Sequence, residues 1–479
     1  MGKGYWKMPK ELVQYPQVRE AIATEASRLL HYIRTAHNPG VVWHAWKKRT
    51  RRFLQDAHRF VRSHYMREKA TAAGRLTEAR RLHTEGHSTD QDLAEEEKIY
   101  VETEDLWKLY YSDLKFDVHA GKNERSTAHF FRPPTKLLYK TPVRSVNQRD
   151  GTVSTDPDAI QREFVDHWTR VMRDDDPAPP KRAARRRLLR VLQKRLTAED
   201  RDALEEDITG SELQRSIETM APHRTPGPDG FSACFYQVAP AVFGEILSIV
   251  FNYQLNRGIL LKCQRTSEVV LLFKKNDRAD PGNYRPISLM PVEVKILCRA
   301  LSHRLSSLLP RLVLPAQKGF VHGQRLHDHT VFMLDLQHTC TVRNQEGYAA
   351  FLDFAKAYDR VSWTYLFDTL DTFGFGPKFI AWIRLLYTNP LVHLRINGIK
   401  STPTHPNRGV KQGDPLSSLL FVLSLEPLNQ LLHNHEEYGI ELTMDHTATT
   451  LMFADDTTLL AGRIAHLQAQ LELVSQFWC

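Results

Sequence analysis

Two short acidic segments of this chain have the residue types and spacing for phosphoryl-transfer chemistry. The first is Asp353, at the end of the apolar run in YAAFLDFAKAYD; the second is the adjacent pair Asp455 and Asp456 in LMFADDTTLL, where two apolar stretches meet at a tip. An acid at the end of an apolar strand is costly to bury unless something compensates its charge. If the two strands are neighbours in one sheet, Asp353 and Asp455 converge, and carboxylates that close stay ionised beside divalent cations. Two hard cations about 3.5–4 Å apart are the usual apparatus of in-line phosphoryl or nucleotidyl transfer. Residues 407–427 (NRGVKQGDPLSSLLFVLSLEP) couple a glycine-bearing turn to a helix, which lets backbone approach a nucleotide. Arg285, in NYRPISL, follows the pair Lys274 and Lys275, a cationic set suited to a triphosphate.

These residues need strands and turns to present them. Residues 268–273 (EVVLLF) have strand composition, 348–354 read as a buried strand, and 451–454 with 457–461 read as short strands joined at Asp455 and Asp456. A hairpin is expected at 391–396 and 399–402, turning at Asn397 and Gly398, the strongest short turn signal available. Helices are expected at 292–309, closed by Pro310, at 363–373, ended by Gly374, and at 415–433. A capping box of Thr209 and Glu212 and a helix from about Pro240 to Gly258 precede them. The alternation implies an α+β fold with an antiparallel sheet.

Upstream the chain reads differently. Between His44 and Leu82 stand twelve Lys or Arg against three acids, with Phe53, Ala57, Phe60 and Val61 at helical spacing. That predicts a long basic amphipathic helix, broken by Gly86 and Ser88 and followed by a second helix over 91–119 with an acidic start and an aromatic stripe of Trp107, Tyr110 and Tyr111. Two packed antiparallel helices follow from this pattern. A solvated charged face and a phosphate-binding surface both remain open as its role. The run DDDPAPP at 174–180 cannot continue a helix and marks a boundary, with the cluster Lys181, Arg182, Arg185, Arg186, Arg187 and Arg190 after it.

Six ordered segments, TPGPDG, NYRPISLMPVEVKIL, LPAQKGFVHGQ, AFLDFAKAYDRVSW, GVKQGDPLSSLLF and FADD, give the region from about Arg224 onward a resemblance to the reverse transcriptases of non-LTR (LINE-type) retrotransposons. The opening GYWKMPKELVQYP resembles the junction that follows the endonuclease of such elements. The resemblance implies a polymerase right-hand fold: 1–180 a helical basic N-terminal region, 181–261 a connector and the start of the fingers, and 262–479 fingers and palm. It makes Asp353 and Asp455 the main metal ligands, with Asp456 beside them and the backbone carbonyl of Phe354 as an additional ligand. Tyr358 falls where an aromatic ring rejects a 2′-hydroxyl. Gln412 and Gly413 match the turn that packs on the incoming nucleotide, and Arg285 with one of Lys274 or Lys275 matches the cations that hold the triphosphate.

The implied cofactors are two Mg²⁺ ions, with Mn²⁺ as a substitute. The implied partners are an RNA template, a DNA primer and deoxynucleoside triphosphates, with RNA for the basic helix and no membrane. A nuclear location fits insertion into a genome, with the cytoplasm as the alternative. In the family a lysine-bearing turn, a primer grip and a thumb follow the FADD helix. The expectation here is a chain without thumb or endonuclease and therefore a weak polymerase, the competing reading being an inactive relic or RNA-binding remnant.

The chain as a whole is compatible with this. Its 479 residues exceed one typical domain, 42% hydrophobic and 25% charged residues are near globular averages, and the net charge of +9 fits a polyanionic partner. Five scattered cysteines disfavour a disulfide framework or compact zinc site and suit a reducing compartment. His322, His327, His329 and His338 lack zinc-ligand spacing and are expected to be structural.

Overall fold

The protein is described here by a computed structural model that covers residues 6–120, 142–173, 182–222, 224–443 and 446–478. The run 174–180, Lys181 and Cys479 lie outside these residues, as do the side chains of Tyr110, Tyr111 and Arg182. The chain divides into two compact units, one formed by Tyr5–Pro142 and Thr209–Tyr253, the other by Val143–Ile208 and Gln254–Cys479 together with Met1–Gly4. The boundaries expected at 180/181 and 261/262 both fall inside the second of these units.

In the first unit, α1 (Pro16–Ile33) leads to α2 (Pro39–Thr84) and α3 (Asp90–Ala120). Asn38 caps α2 by accepting from the Val41 N–H, and Pro39 fits the first turn, where its missing N–H is no loss. The helices are antiparallel: Lys69 pairs with Glu104 at 3.3 Å and, further along α2, Arg80 pairs with Glu97 at 2.9 Å, nearer the start of α3. At its own start α2 buries Trp43 and Trp46, stacked 5.4 Å apart, against Phe235 and Phe243. Lys47 forms a buried ion pair with Asp229 of TPGPDG at 2.6 Å. Exposed Phe53 and Phe60 lie away from that core.

Among its described residues the second unit contains two larger sheets, of four and three strands, and two short two-stranded ribbons. Helix α4 (Pro157–Met172), capped by Asp156, precedes β1 (Thr266–Phe273) and β2 (Tyr284–Leu289), an antiparallel pair with Leu272 opposite Arg285. Then come α5 (Val292–Ser306), α6 (Leu326–Val342), β3 (Tyr348–Leu352), α7 (Trp363–Phe373) and α8 (Pro377–Tyr387). The hairpin of β4 (Leu391–Ile396) and β5 (Ile399–Thr404) turns through Asn397 and Gly398 at φ 48° and 83°. Helix α9 (Ser417–His433), the pair β6 (Thr450–Phe453) and β7 (Asp456–Ala461), and α10 (Ile464–Trp478) complete the order. The helix expected to run to residue 309 stops at Ser306 in α5, and Pro310 sits in the first turn of the short helix Leu309–Leu312.

Of the larger sheets, one has the order β2-β1-β4-β5 and the other β6-β7-β3. The second is antiparallel throughout, as expected. The first is mixed, because β1 and β4 pair in parallel. Parallel neighbours need a crossover, and the chain between these strands supplies a long one containing helices and β3. Helix α4 packs on the mixed sheet: Ile160, Phe164, Trp168, Val171 and Met172 bury against Val269, Tyr284, Val392, Leu394 and Ile396. That burial is why residues on either side of 174–180 belong to one unit.

Strand β3 corrects another expectation. It is the edge of its sheet rather than a buried strand, with Ala350 and Leu352 packed toward Leu428, Met452 and Leu459, whereas Phe351 is 76% exposed on the opposite face. A continuous apolar run does not distinguish a strand covered on both faces from an edge strand covered on one.

Candidate active site

The two acidic segments meet at one end of the antiparallel sheet. β3 and β7 are neighbours with Leu352 opposite Thr457, so Asp353, the next residue, comes level with Asp456. Phe453 is opposite Asp456, which leaves Ala454 and Asp455 as a two-residue turn. Asp353 and Asp456 are exposed and only Asp455 is half-buried, so the expected desolvation falls mainly on Asp455. Burial raises the pKa of Asp455 from its ordinary value; the Asp456 and Asp353 carboxylates push the same way, whereas a backbone hydrogen bond and the Arg285 guanidinium oppose them. These influences place Asp353, Asp455, Asp456 and Arg285 in one electrostatic neighbourhood.

After Asp353 the backbone bends away from the sheet. Phe354 packs into the core beneath β6 and β7, and Lys356 takes a left-handed φ of 57°. The Lys356 ammonium donates to the carbonyls of Gly282 at 2.5 Å and Tyr284 at 2.9 Å, and lies 4.5 Å above the Trp168 ring. It thereby joins the aspartate loop to the start of β2 and to α4. Burial chiefly lowers its pKa, with Lys274 among the cations acting in the same direction. Lys274, exposed at the end of β1, is thus electrostatically linked to this loop. Lys275 is exposed beside it, and Arg285 is exposed on β2.

Two residues on, the Tyr358 ring stacks on Phe421 of α9 at 4.3 Å and 14°. Burial pushes its phenol up to about 12, a side-chain hydrogen bond with Ser418 acts in the opposite sense, and Asp455 raises it further. The ring is fixed from below and stands within electrostatic reach of Asp455.

The glycine-bearing turn is tied to the same loop and to β2. Gln412 donates through Nε2 to the Asp359 carboxylate at 3.1 Å, and its carbonyl accepts from the Ser288 N–H at 2.8 Å. The Gly409 N–H donates to the Val361 carbonyl and the Val410 N–H to that of Tyr358, both at 2.8 Å. Gly409 has φ 90°, and a Cβ there would stand 2.7 Å from the Asp359 carbonyl oxygen. Gly413, at φ 98°, is exposed next to Gln412. Both positions therefore favour glycine. Asp414 then accepts from the Leu416 N–H at 3.0 Å and opens α9.

Among the described residues, no three His, Cys, Asp or Glu side chains form a ready-made metal cage. The acidic residues nevertheless fit a hard cation in chemical type. Asp353 and Asp456 are exposed carboxylates, and Asp455 carries a charge disfavoured by burial and by both neighbours, a cost that a cation would relieve. This donor set is open, suited to cations that take further oxygens from a phosphate and water. Of the four histidines, His329 is buried and the other three are exposed.

Sequence reasoning overlooked Lys356 and Asp359, although both lie in the quoted motif AFLDFAKAYDRVSW. The signal was the presence of Lys356 and Asp359 among the apolar residues that follow Asp353. Their partners, Gly282, Tyr284 and Gln412, are remote in sequence and only the fold brings them together.

Residues 273–478 match the family model described as reverse transcriptase (RNA-dependent DNA polymerase). The chain is 29% identical over 346 residues to the "Transposon TX1 uncharacterized 149 kDa protein" of Xenopus laevis, covering 72% of this chain and 26% of that protein. It is 31% identical over 271 residues to the "Retrovirus-related Pol polyprotein from type-2 retrotransposable element R2DM" of Drosophila melanogaster, covering 56% and 25%. To the "RNA-directed DNA polymerase from mobile element jockey" of the same species it is 26% identical over 222 residues, covering 45% and 24%. The chain spans about a quarter of the length of these curated relatives.

A pH dependence of stability follows from a carboxyl group buried in α9. Glu426 accepts from the Leu314 N–H, Asn429 and Gln430, each at 2.9 Å, and burial pushes its pKa up to about 7 despite these bonds. Its unfolded value is about 4.3. Between these values the folded state holds the extra proton, so this group's contribution to stability falls as pH rises from about 4 to 7. Thermal unfolding of Glu426→Gln across pH 5–8 is expected to show a smaller decline with pH than the wild type. An equal or steeper decline contradicts the assignment.

Proposed function

We propose that the chain carries, at residues 273–478, a reverse transcriptase domain of the non-LTR retrotransposon kind, and that it extends a DNA primer on an RNA template from deoxynucleoside triphosphates. The observation that carries this reading is the convergence of Asp353, Asp455, Asp456 and Arg285 at one end of the antiparallel sheet. We read β1 and β2 as part of the fingers and β3, β6 and β7 as the palm.

In this reading Asp353 and Asp455, with Asp456 beside them and the Phe354 carbonyl near by, hold two Mg²⁺ or Mn²⁺ ions. When bound, such ions lower the pKa of a primer 3′-hydroxyl and neutralise the phosphates on which charge develops. The protein's own residues supply position. Arg285 and Lys274, with Lys275 adjacent, meet the triphosphate at the open end of β1 and β2. Gln412 and Gly413 offer the nucleotide a turn whose backbone is exposed, held by Asp359 and Ser288. Tyr358, fixed on Phe421, presents ring bulk where a 2′-hydroxyl would lie.

Helix α2 extends the reading to RNA. Lys48, Arg49, Arg52 and Arg62 are exposed and have no carboxylate partner among the described residues, and exposed Phe53 and Phe60 lie between them in sequence. Further along, Lys69, Arg80 and Arg81 are neutralised by Glu104, Glu97, Glu78 and Glu85. Cations with interleaved aromatics suit a single strand, through phosphate contacts and base stacking.

Primer extension on an RNA template should fall by about 10²–10³-fold or more in Asp353→Asn and in Asp455→Asn, the scale of losing a preorganised charge contact. Extension at the wild-type rate by either variant rules out the assignment. Tyr358→Ala should lower the preference for deoxy- over ribonucleotides by roughly 10–100-fold, since a steric contact is lost; an unchanged preference in steady-state competition removes Tyr358 from that role. For α2, the double variant Arg49→Glu with Arg52→Glu should flatten the salt dependence of single-stranded RNA binding by the whole chain. Each lost phosphate contact reduces the slope by about 0.7. An identical slope means that these cations only face solvent.

A further inference from the structure

The turn that carries Asp455 has a conformation its own sequence does not favour. Ala454 sits at φ 56°, in the left-handed region, and Asp455 does not. A two-residue hairpin turn whose first residue has positive φ normally places glycine there, because a Cβ disfavours that conformation. The hairpin of β4 and β5 illustrates the ordinary solution, with Asn397 and Gly398 supplying both positive φ values. Alanine at 454 supplies nothing comparable, so the conformation has to be imposed by the surroundings.

The surroundings that impose it come from LPAQKGFVHGQ. Gln317 is 1% exposed and brackets the Ala454 residue: its Oε1 accepts from the Ala454 N–H at 2.9 Å, and its Nε2 donates to the Ala454 carbonyl at 3.3 Å. The same Oε1 accepts from the Gly319 N–H at 2.8 Å, which fixes the orientation of the carboxamide. A side chain bonded to both the N–H and the carbonyl of one residue is satisfied in few arrangements of that residue, so it selects among backbone conformations. Gly319 completes the contact, since a Cβ there would stand 2.2 Å from the Ala454 nitrogen. The register is fixed as well: Met452 donates its N–H to the Ala316 carbonyl at 2.8 Å, and its carbonyl accepts from the Lys318 N–H at 2.9 Å.

We propose that Gln317 is a positioning residue that clamps Ala454 in its left-handed conformation and so sets the direction of the Asp455 carboxylate, and that residue 319 is glycine because the clamp needs backbone at that point. The proposal rests on the reading of Asp455 as a cation-binding carboxylate. Gln317 touches no substrate. It acts through the peptide preceding Asp455, as outer residues of metal sites orient the ligands themselves.

The test uses the whole chain in four variants. Gln317→Met keeps the side-chain length and removes its hydrogen bonds, Gly319→Ala forces the segments apart, and Gln324→Met changes a neighbouring glutamine that bonds Lys318 instead of the turn. Asp455→Asn tests the ligand itself. Two measurements are made on each: Mn²⁺ affinity by electron paramagnetic resonance, and hydrogen exchange in the peptide spanning residues 450–458. Circular dichroism and a cooperative melting curve establish that each variant is folded. Gln317→Met and Gly319→Ala should each weaken Mn²⁺ binding by about 10–100-fold and accelerate exchange at Ala454, whereas Gln324→Met should do neither. Exchange at the wild-type rate in folded Gln317→Met overturns the clamp. Accelerated exchange with unchanged Mn²⁺ affinity, while Asp455→Asn loses the ion, overturns the positioning role. If Asp455→Asn binds Mn²⁺ as the wild type does, the reading of Asp455 fails, and the positioning proposal that rests on it is overturned whatever the exchange result.

Discussion

The organising constraint of the second unit is the confinement of like charges where two strand ends meet. Asp353, Asp455 and Asp456 are brought together by the pairing of β3 with β7, and their mutual repulsion, added to burial, raises the pKa of Asp455. Carboxylates free to move would separate. These are attached to backbone held from several sides, so the repulsion stays available to be relieved by a cation.

The holding is done largely by single polar side chains that reach between segments distant in sequence. Lys356 bonds the carbonyls of Gly282 and Tyr284 and covers Trp168, joining the loop after Asp353 to β2 and α4. Asp359 accepts from Gln412, which is bonded in turn to Ser288 on β2. Gln317 does the same for the turn before Asp455. A buried polar group costs free energy unless it is paired, so each link is stable only in the arrangement that satisfies it. Local order at the site is thereby coupled to the packing of α4, β2 and α9.

Much of the site was legible in the sequence because its residues act within short apolar strands and tight turns. The apolar run ending in YAAFLD, the acidic turn of FADD, the Asn397 and Gly398 hairpin, and the glycine turn before α9 are all local patterns, and each has its counterpart in the fold. Other features were not local. Nothing in residues 348–354 distinguishes an edge strand from a buried one, and the exposure of Phe351 depends on which face the helices cover. The parallel pairing of β1 with β4 depends on a long crossover, and the place of α4 in the second unit depends on aromatic packing of Phe164 and Trp168 against strands much later in the chain. The links made by Lys356, Asp359 and Gln317 could not be read from sequence spacing, because their partners are remote.

The central claim is that Asp353 and Asp455 act as one cation-binding pair, and a double-mutant cycle on Mn²⁺ affinity tests it most directly. The chain is compared with Asp353→Asn, Asp455→Asn and both together, in the same buffer and ionic strength. Groups that share one ligand are strongly non-additive, whereas independent sites add to within about 0.5 kcal/mol. The account predicts that either single substitution removes most of the affinity and that the double variant is little worse than either. Two small losses that simply add would contradict it.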